Sequence, residues 1–331
     1  MSRTAFINEF SVEALRDVLQ KLEVFPNFKV NGLTAHQLEE IRGLDQSLFA
    51  QISEHIKSGK WFPLVGVWTN CDKADEYALI RNALYSVDYF KTNFGIKSRV
   101  FFADKIYNNN FAQILYRSGF DAAYIPEEGE SFWLDCADES RVLVYSAKSL
   151  DIADANDLDD DSIADCEFSS VEQEILRALD GHLELQSKFQ NAEITEPTEA
   201  EKLLVEAEKI SVAAGEDERA QIREAWLDLF GGEEKTAKET AQKIIGGREF
   251  DTDFIRIDSD EVELEEIKLA EDGSGDTVVR VREKCGSEKT LFVVADKLGA
   301  GFRCEIIPHE IQTFRINSQG YVTETQINEI M

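Results

Sequence analysis

Apolar residues recur at helical spacing near the start of the chain and between several short apolar runs. Ser11 caps the first predicted helix, whose buried face is formed by Val12, Leu15, Val18, Leu19 and Leu22. Further helices are predicted over 48–56 and 75–94, and short strands over 28–31, 61–68, 100–103, 122–125, 131–134 and 142–145. Helices that alternate with short apolar strands are typical of an α/β domain, which we place at residues 1–148.

The pattern changes twice after residue 148. Residues 151–167 hold eight acidic residues and no basic one, without the glycine and glutamate positions of a calcium-binding loop. We therefore predict an exposed acidic linker over 149–168. Residues 169–249 show helical periodicity with short turns, which predicts a helical bundle. From 250 to 331 the period falls to two, which predicts a small antiparallel β-domain resembling a sandwich.

Composition limits the cellular setting and the partners. The 331 residues carry a net charge of −30, which repels nucleic acid and anionic membranes, so neither is expected as a partner. No apolar run is long enough to span a membrane, and the first residues are too polar for a secretory signal. None of the five cysteines lies close enough to another for a zinc-finger spacing. We expect an acidic cytoplasmic protein with reduced thiols.

One carboxylate stands at a position suited to chemistry. Asp104 follows the predicted strand 100–103, and a turn at 108–110 leads into a helix that Gly119 ends before the next strand. Parallel α/β sheets and barrels keep their functional side chains at this end of their strands. The alternative interpretation is that Asp104 only caps the following helix.

The order of these segments resembles the α-mannosidases of glycoside hydrolase family 38. The resembling segments are 25–30, 56–68, Asp72 with the helix that ends at Gly95, 101–104 with 113–119, 270–273 and 308–314. Together they cover most of residues 11–125 and 250–316. The resemblance implies a partial α/β barrel, a helical bundle and a β-sandwich, as a shortened relative of that family would have.

The resemblance also implies a chemistry and a departure from it. In that family the aspartate matched by Asp104 attacks the anomeric carbon, while a second carboxylate acts as acid and base. A zinc ion holds the sugar hydroxyls through a His-x-Asp motif, the nucleophile and a later histidine. None of the four histidines here, His36, His55, His182 and His309, has an aspartate two residues on. We expect the chain to begin after the strand that bears that motif, and we expect no metal or other cofactor, because one aspartate cannot hold zinc.

Three hypotheses remain open. The first is an α-mannosidase-like sugar-binding or scaffold subunit without activity, with Asp104 as a vestigial nucleophile and Trp61, Trp68, Asp72 and Tyr107 contacting substrate; each aromatic has core packing as its alternative. The second is an active retaining glycoside hydrolase that uses Asp104, with Asp72 or Asp135 as acid/base, completed by a partner chain. The third is a structural protein whose bundle is an interface. Expected partners are carbohydrate and either another protein or a second copy.

Overall fold

The computed structural model describes residues 3–8, 10–68, 76–126, 129–181, 185–190, 197–212, 216–251, 253–327 and 329. In the N-terminal part, helices and short strands alternate as the sequence predicts. These elements are Thr4–Phe6 (β1), Val12–Val24 (α1), Val30–Asn31 (β2), Ala35–Leu44 (α2), Gln46–Lys57 (α3), Trp61–Phe62 (β3), Glu76–Phe94 (α4), Val100–Phe102 (β4), Phe111–Arg117 (α5), Ala122–Ile125 (β5), Phe132–Cys136 (β6) and Arg141–Ser146 (β7).

Side-chain caps fix where the first helices begin. The Ser11 hydroxyl accepts a hydrogen bond from the Ala14 N–H at 3.1 Å, and Thr34 forms a capping box with Gln37 at the start of α2. The strand predicted over 61–68 is shorter than expected, because only Trp61 and Phe62 pair with β2. The strand β1 was not predicted, since three residues show no period of their own.

The acidic segment and the start of the bundle are more ordered than predicted. They contain Ile152–Asp154 (β8), Asp160–Ala164 (α6), Val171–Asp180 (α7) and Ser187–Gln190 (β9). The prediction of an exposed linker over 149–168 is wrong, because β8 pairs in parallel with β1 and its acids find polar partners such as Asn8, which donates to Asp154 at 2.9 Å. The prediction that 169–249 is wholly helical is wrong at β9, which pairs with β6.

Two sheets of the N-terminal part meet at one close contact. The first has the strand order β3-β2-β1-β8, with every pairing parallel, and the second has the order β4-β5-β7-β6-β9. A parallel bridge between Gly66 and Phe102 joins them. A Cβ atom at Gly66 would lie 2.0 Å from the Phe102 carbonyl oxygen, so only glycine permits this approach of the two backbones. The parallel strands therefore end along one common edge.

Three helices form the predicted bundle: Glu199–Ser211 (α8), Glu216–Phe230 (α9) and Glu234–Ile245 (α10). Thr198 begins α8 with a capping box, and Gly246 ends α10 in the left-handed conformation at φ 51°. The buried faces of these helices share a hydrophobic core with the N-terminal sheets, as when the ring of Tyr85 meets that of Phe230 at 6.3 Å. Of the helices described, none combines the length and the apolar character needed to cross a membrane.

The C-terminal strands are antiparallel, as the period of two indicates. They are Arg256–Ile257 (β10), Val262–Leu269 (β11), Thr277–Glu283 (β12), Lys289–Ala295 (β13), Ala300–Ile306 (β14), Ile311–Ile316 (β15) and Val322–Thr325 (β16). They form two sheets, with the orders β10-β13-β14 and β11-β12-β15-β16, which share one apolar core.

The two predicted domain boundaries, at 148 and near 250, have different outcomes in the structure. The boundary at 148 does not separate the sheets, because β8 and β9 lie beyond it and pair with strands before it. The boundary near 250 stays a prediction; among the described strands, no sheet joins residues from both sides of it.

Candidate functional site

A cavity of about 450 Å³ lies where the parallel strands end. Its walls come from residues at or just after the ends of β1, β3, β4 and β5, namely 6–8, Leu64, 102–104, Tyr124 and Pro126. Another wall comes from the first turns of α2, through Thr34, His36, Gln37 and Glu40. This edge is where parallel α/β folds place ligands, because the loops that follow the strands meet there.

Aromatic rings line the apolar side of the cavity. The rings of Phe6 and Tyr124 stack with centroids 5.8 Å apart and planes 14° from parallel, and Phe102 packs on Tyr124 at 5.6 Å. Burial raises the pKa of the Tyr124 phenol to about 12, so it stays neutral at physiological pH. These faces suit the C–H side of a sugar ring or a cation.

Asp104 reaches the cavity from the end of β4. Its side chain is half-buried, and its Oδ1 accepts a hydrogen bond from the Tyr107 hydroxyl. The interpretation that Asp104 caps the following helix is wrong. The helix α5 begins only at Phe111, and its N-cap residue is Asn110, whose N–H donates to the Asn108 side chain at 2.9 Å. Asp104 is therefore oriented by a phenol beside the cavity.

The two tryptophans predicted to contact substrate lie in the hydrophobic core. Trp61 is buried in the core, with its indole N–H donating to the Gly32 carbonyl at 3.1 Å, and Trp68 packs edge-on against Tyr89. Both tryptophans belong to the hydrophobic core, and neither is among the described residues that line the cavity; a contact of either with substrate stays a prediction.

The other polar residues predicted for the site, where the structure describes them, do not line the cavity. Tyr107 touches Asp104 but is not a lining residue, and Asp72 lies outside the described residues. Asp135 is on β6, where it forms an ion pair with Arg141 at 2.8 Å, and it does not line the cavity.

Sequence analysis did not place two ionisable side chains, those of His36 and Glu40, at the cavity. The His36 Nε2 lies 3.9 Å from the Glu40 Oε2, and both side chains are about half exposed, at 41% and 47%. The two residues lie four positions apart in the sequence, and the position of α2 after β2 brings them to the cavity. Phe6 and Phe10 were missed because β1 was not predicted.

The described residues do not fit the zinc site that the resemblance implies. Among them, no three His, Cys, Asp or Glu side chains come together in a group that could hold a metal. The strand β1 leads into the cavity, and residues 7–10 that follow it read Ile-Asn-Glu-Phe, without histidine or aspartate. Whether the protein binds zinc stays a prediction.

Comparisons with known proteins agree with this architecture. Among solved structures, an alpha-mannosidase from Enterococcus faecalis V583 has a TM-score of 0.54 at 11% identity, covering 88% of this chain and 45% of that one. A protein in glycosyl hydrolase family 38 from Enterococcus faecalis has a TM-score of 0.51 at 10% identity, covering 98% of this chain and 54% of that one. The chain thus spans about half the length of these structures, and at such identities the likeness shows the fold alone. No curated protein matches its sequence.

A family match covers the residues that build the cavity. Residues 6–127 match the N-terminal domain of glycosyl hydrolases family 38. The match begins in β1 and ends just after Pro126, so it includes every strand end that lines the cavity. It also contains the segment 11–125 in which the motifs pointed to the same family. Residues 6–127 are therefore similar to the N-terminal domain of glycosyl hydrolases family 38, and the chain is a relative of that family over this segment.

Proposed function

We propose that the chain is an α-mannosidase-like sugar-binding protein that does not hydrolyse glycosides. The observation that supports this most directly is the setting of Asp104, which occupies the end of β4 in the cavity and is held there by the Tyr107 phenol. A carboxylate in that position can accept hydrogen bonds from sugar hydroxyls whether or not it acts as a nucleophile.

The second requirement of retaining hydrolysis is an acid/base carboxylate close to the nucleophile. Glu40 is the other carboxylate among the described lining residues. Its side chain is about half exposed and faces His36 across 3.9 Å. A glycosidase acid is tuned by a dry, apolar pocket, which this rim position does not offer. Binding without turnover is therefore the simpler role.

The cavity suits a saccharide in size and in surface. Its volume of about 450 Å³ lies within the usual range of small-molecule sites. Its aromatic side offers the rings of Phe6 and Tyr124, and its polar side offers Asn8, Thr34 and Gln37 as well as Asp104. Sugars are bound by this combination of ring faces and hydrogen-bonding groups.

An active glycosidase is the second candidate. It is favoured by one observation, the carboxylate of Asp104 at the C-terminal end of a parallel strand. In that case Asp104 would be the nucleophile, and the acid/base group would come from Glu40, from Asp72 or from a partner chain. The third candidate, a purely structural protein, gives the cavity no ligand at all.

One experiment separates the three. The purified 331-residue protein is titrated with methyl α-mannoside by calorimetry, and the same sample is assayed for hydrolysis of an aryl α-mannoside with and without added zinc. Binding without turnover supports the proposal. Turnover that falls by orders of magnitude in Asp104→Asn, but not in the charge-matched surface control Asp161→Asn, would restore the glycosidase. The absence of both binding and turnover would favour the structural protein.

A further inference from the structure

The charged residues among the described lining of the cavity are acidic, and the nearby Lys105 ammonium lies over the outer Tyr107 ring at 5.4 Å from its centre. Asp104 and Glu40 both line it, and among its described lining residues there is no lysine or arginine. The histidine on its wall, His36, faces Glu40. The whole chain carries a net charge of −30, so the surrounding field also attracts cations.

The aromatic side of the cavity adds to the same preference. The faces of Phe6, Phe102 and Tyr124 meet there, with ring centroids 5.6–5.8 Å apart in their two contacts. An aromatic face carries negative charge density and attracts an ammonium group within about 6 Å of its centre. Phe10, which is 38% exposed, extends this surface toward solvent.

We infer that the ligand of this cavity is a saccharide that carries a protonated amine, with the ammonium group between the Asp104 carboxylate and the aromatic rings. This inference rests on the proposed function and names the class of sugar. A neutral sugar would exclude water from the half-buried Asp104 carboxylate without placing a positive charge beside it. An ammonium group offsets that charge and forms charge-assisted hydrogen bonds.

Three probes of one sugar test the inference on the 331-residue chain at about pH 7.5. They are methyl α-mannoside, its 6-amino-6-deoxy derivative, and the 6-acetamido derivative, which keeps the added nitrogen without the charge. A fourth probe, mannosamine, places the amine at another carbon of the ring. We expect at least one of the two amines to bind about tenfold more tightly than methyl α-mannoside, and the acetamide to show no such gain.

Asp104→Asn should reduce the preference for the amine to about twofold or less. Asp161→Asn is the matched control, because it removes the same charge from an exposed position on α6 outside the cavity, and it should keep the preference. Thermal unfolding of both variants checks that they fold as the wild type does.

The outcomes separate this inference from the proposed function. If methyl α-mannoside and both amines bind equally, or if the acetamide binds as tightly as the amine, the inference fails and sugar binding stands. If the preference survives in Asp104→Asn, or falls equally in Asp161→Asn, the assignment to Asp104 fails. If none of the probes binds, both the inference and the proposed function fail.

Discussion

Removing the guanidinium of Arg81 should destabilise the fold more than a typical substitution. Arg81 lies on α4 with its side chain only 2% exposed, and it binds both oxygens of Glu208 on α8, at 3.1 and 2.7 Å. It also contacts Glu266 on β11. The three residues therefore connect the N-terminal part, the bundle and the β-strands at one buried point.

The size of the destabilisation in Arg81→Met depends on which charged side chains lose their ion-pair partner. Burial alone would lower the pKa of the Arg81 guanidinium, but Glu208 and neighbouring groups raise it above its ordinary value, so it stays charged. In Arg81→Met, Glu266 keeps its ion pair with Arg280, whereas Glu208 keeps, among the hydrogen bonds of the described residues, the indole N–H of Trp226 at 2.9 Å. One buried carboxylate then loses its ion-pair partner, which costs about 3–5 kcal/mol of unfolding free energy.

Urea unfolding followed by tryptophan fluorescence measures this loss, and a double-mutant cycle with Glu208→Gln isolates the pair. A loss below about 1 kcal/mol in Arg81→Met at pH 7, or a coupling energy near zero in the cycle, would refute this account of the junction.

Three further outcomes can be checked with single variants. Gly66→Ala should lower the free energy of unfolding by about 3 kcal/mol or more, because its Cβ would meet the Phe102 backbone. Gly43→Ala is the control, since a Cβ at Gly43 would have no atom within 4 Å, and it should not lower stability. Equal urea midpoints for the two variants would contradict this. Glu283→Gln should lose about 1–3 kcal/mol at pH 7, because three backbone N–H groups 2.7–2.8 Å from the carboxylate would partly lose their acceptor. Burial acts to raise the pKa of the Glu283 carboxyl, but these N–H groups lower it overall. The greater stability of the wild type over Glu283→Gln is therefore present above the pKa of the unfolded state and disappears as the pH falls through the pKa of the folded state. A stability difference that persists in acid would argue against this. Dialysed protein should contain far less than one zinc per chain by elemental analysis; stoichiometric zinc lost in His36→Ala would show that the cavity holds a metal.

Local signals in the sequence predicted the order of elements in the N-terminal part well. The Ser11 cap set the start of the first helix, and the apolar run before Asp104 placed that carboxylate at the end of a strand. Each of these features depends on residues that are near one another in the chain. The match of residues 6–127 to the family agrees with the motifs found there.

Features that depend on distant pairing were missed. The strands β1, β8 and β9 have only three or four residues each, so their hydrophobic pattern is too short to predict them, and partners far along the chain stabilise them. The cavity walls from α2 and β1 depend on the same pairings. The residues that line the cavity could therefore not be predicted from their spacing in the sequence, whereas the position of Asp104 at the end of a strand could.

The period of two in the C-terminal strands also does not indicate that charged residues of β11 and β12 are buried. A period of two is typical of a sheet with one face in water, yet all seven residues of β12 are buried, including Arg280 and Arg282. Their buried partners Glu266 and Glu265 lie on the neighbouring strand β11. Cross-strand neutralisation of this kind depends on register, which a single sequence does not display.

The positions of these charges bear on how function and fold are related in this protein. Arg81, Glu208 and Glu266 connect the three parts of the chain, and none of the three lines the cavity. Stability at the junction is therefore set by residues different from those that set the chemistry at the strand ends. Substitutions in the cavity can change the ligand, or remove a catalytic role, without loosening the junction.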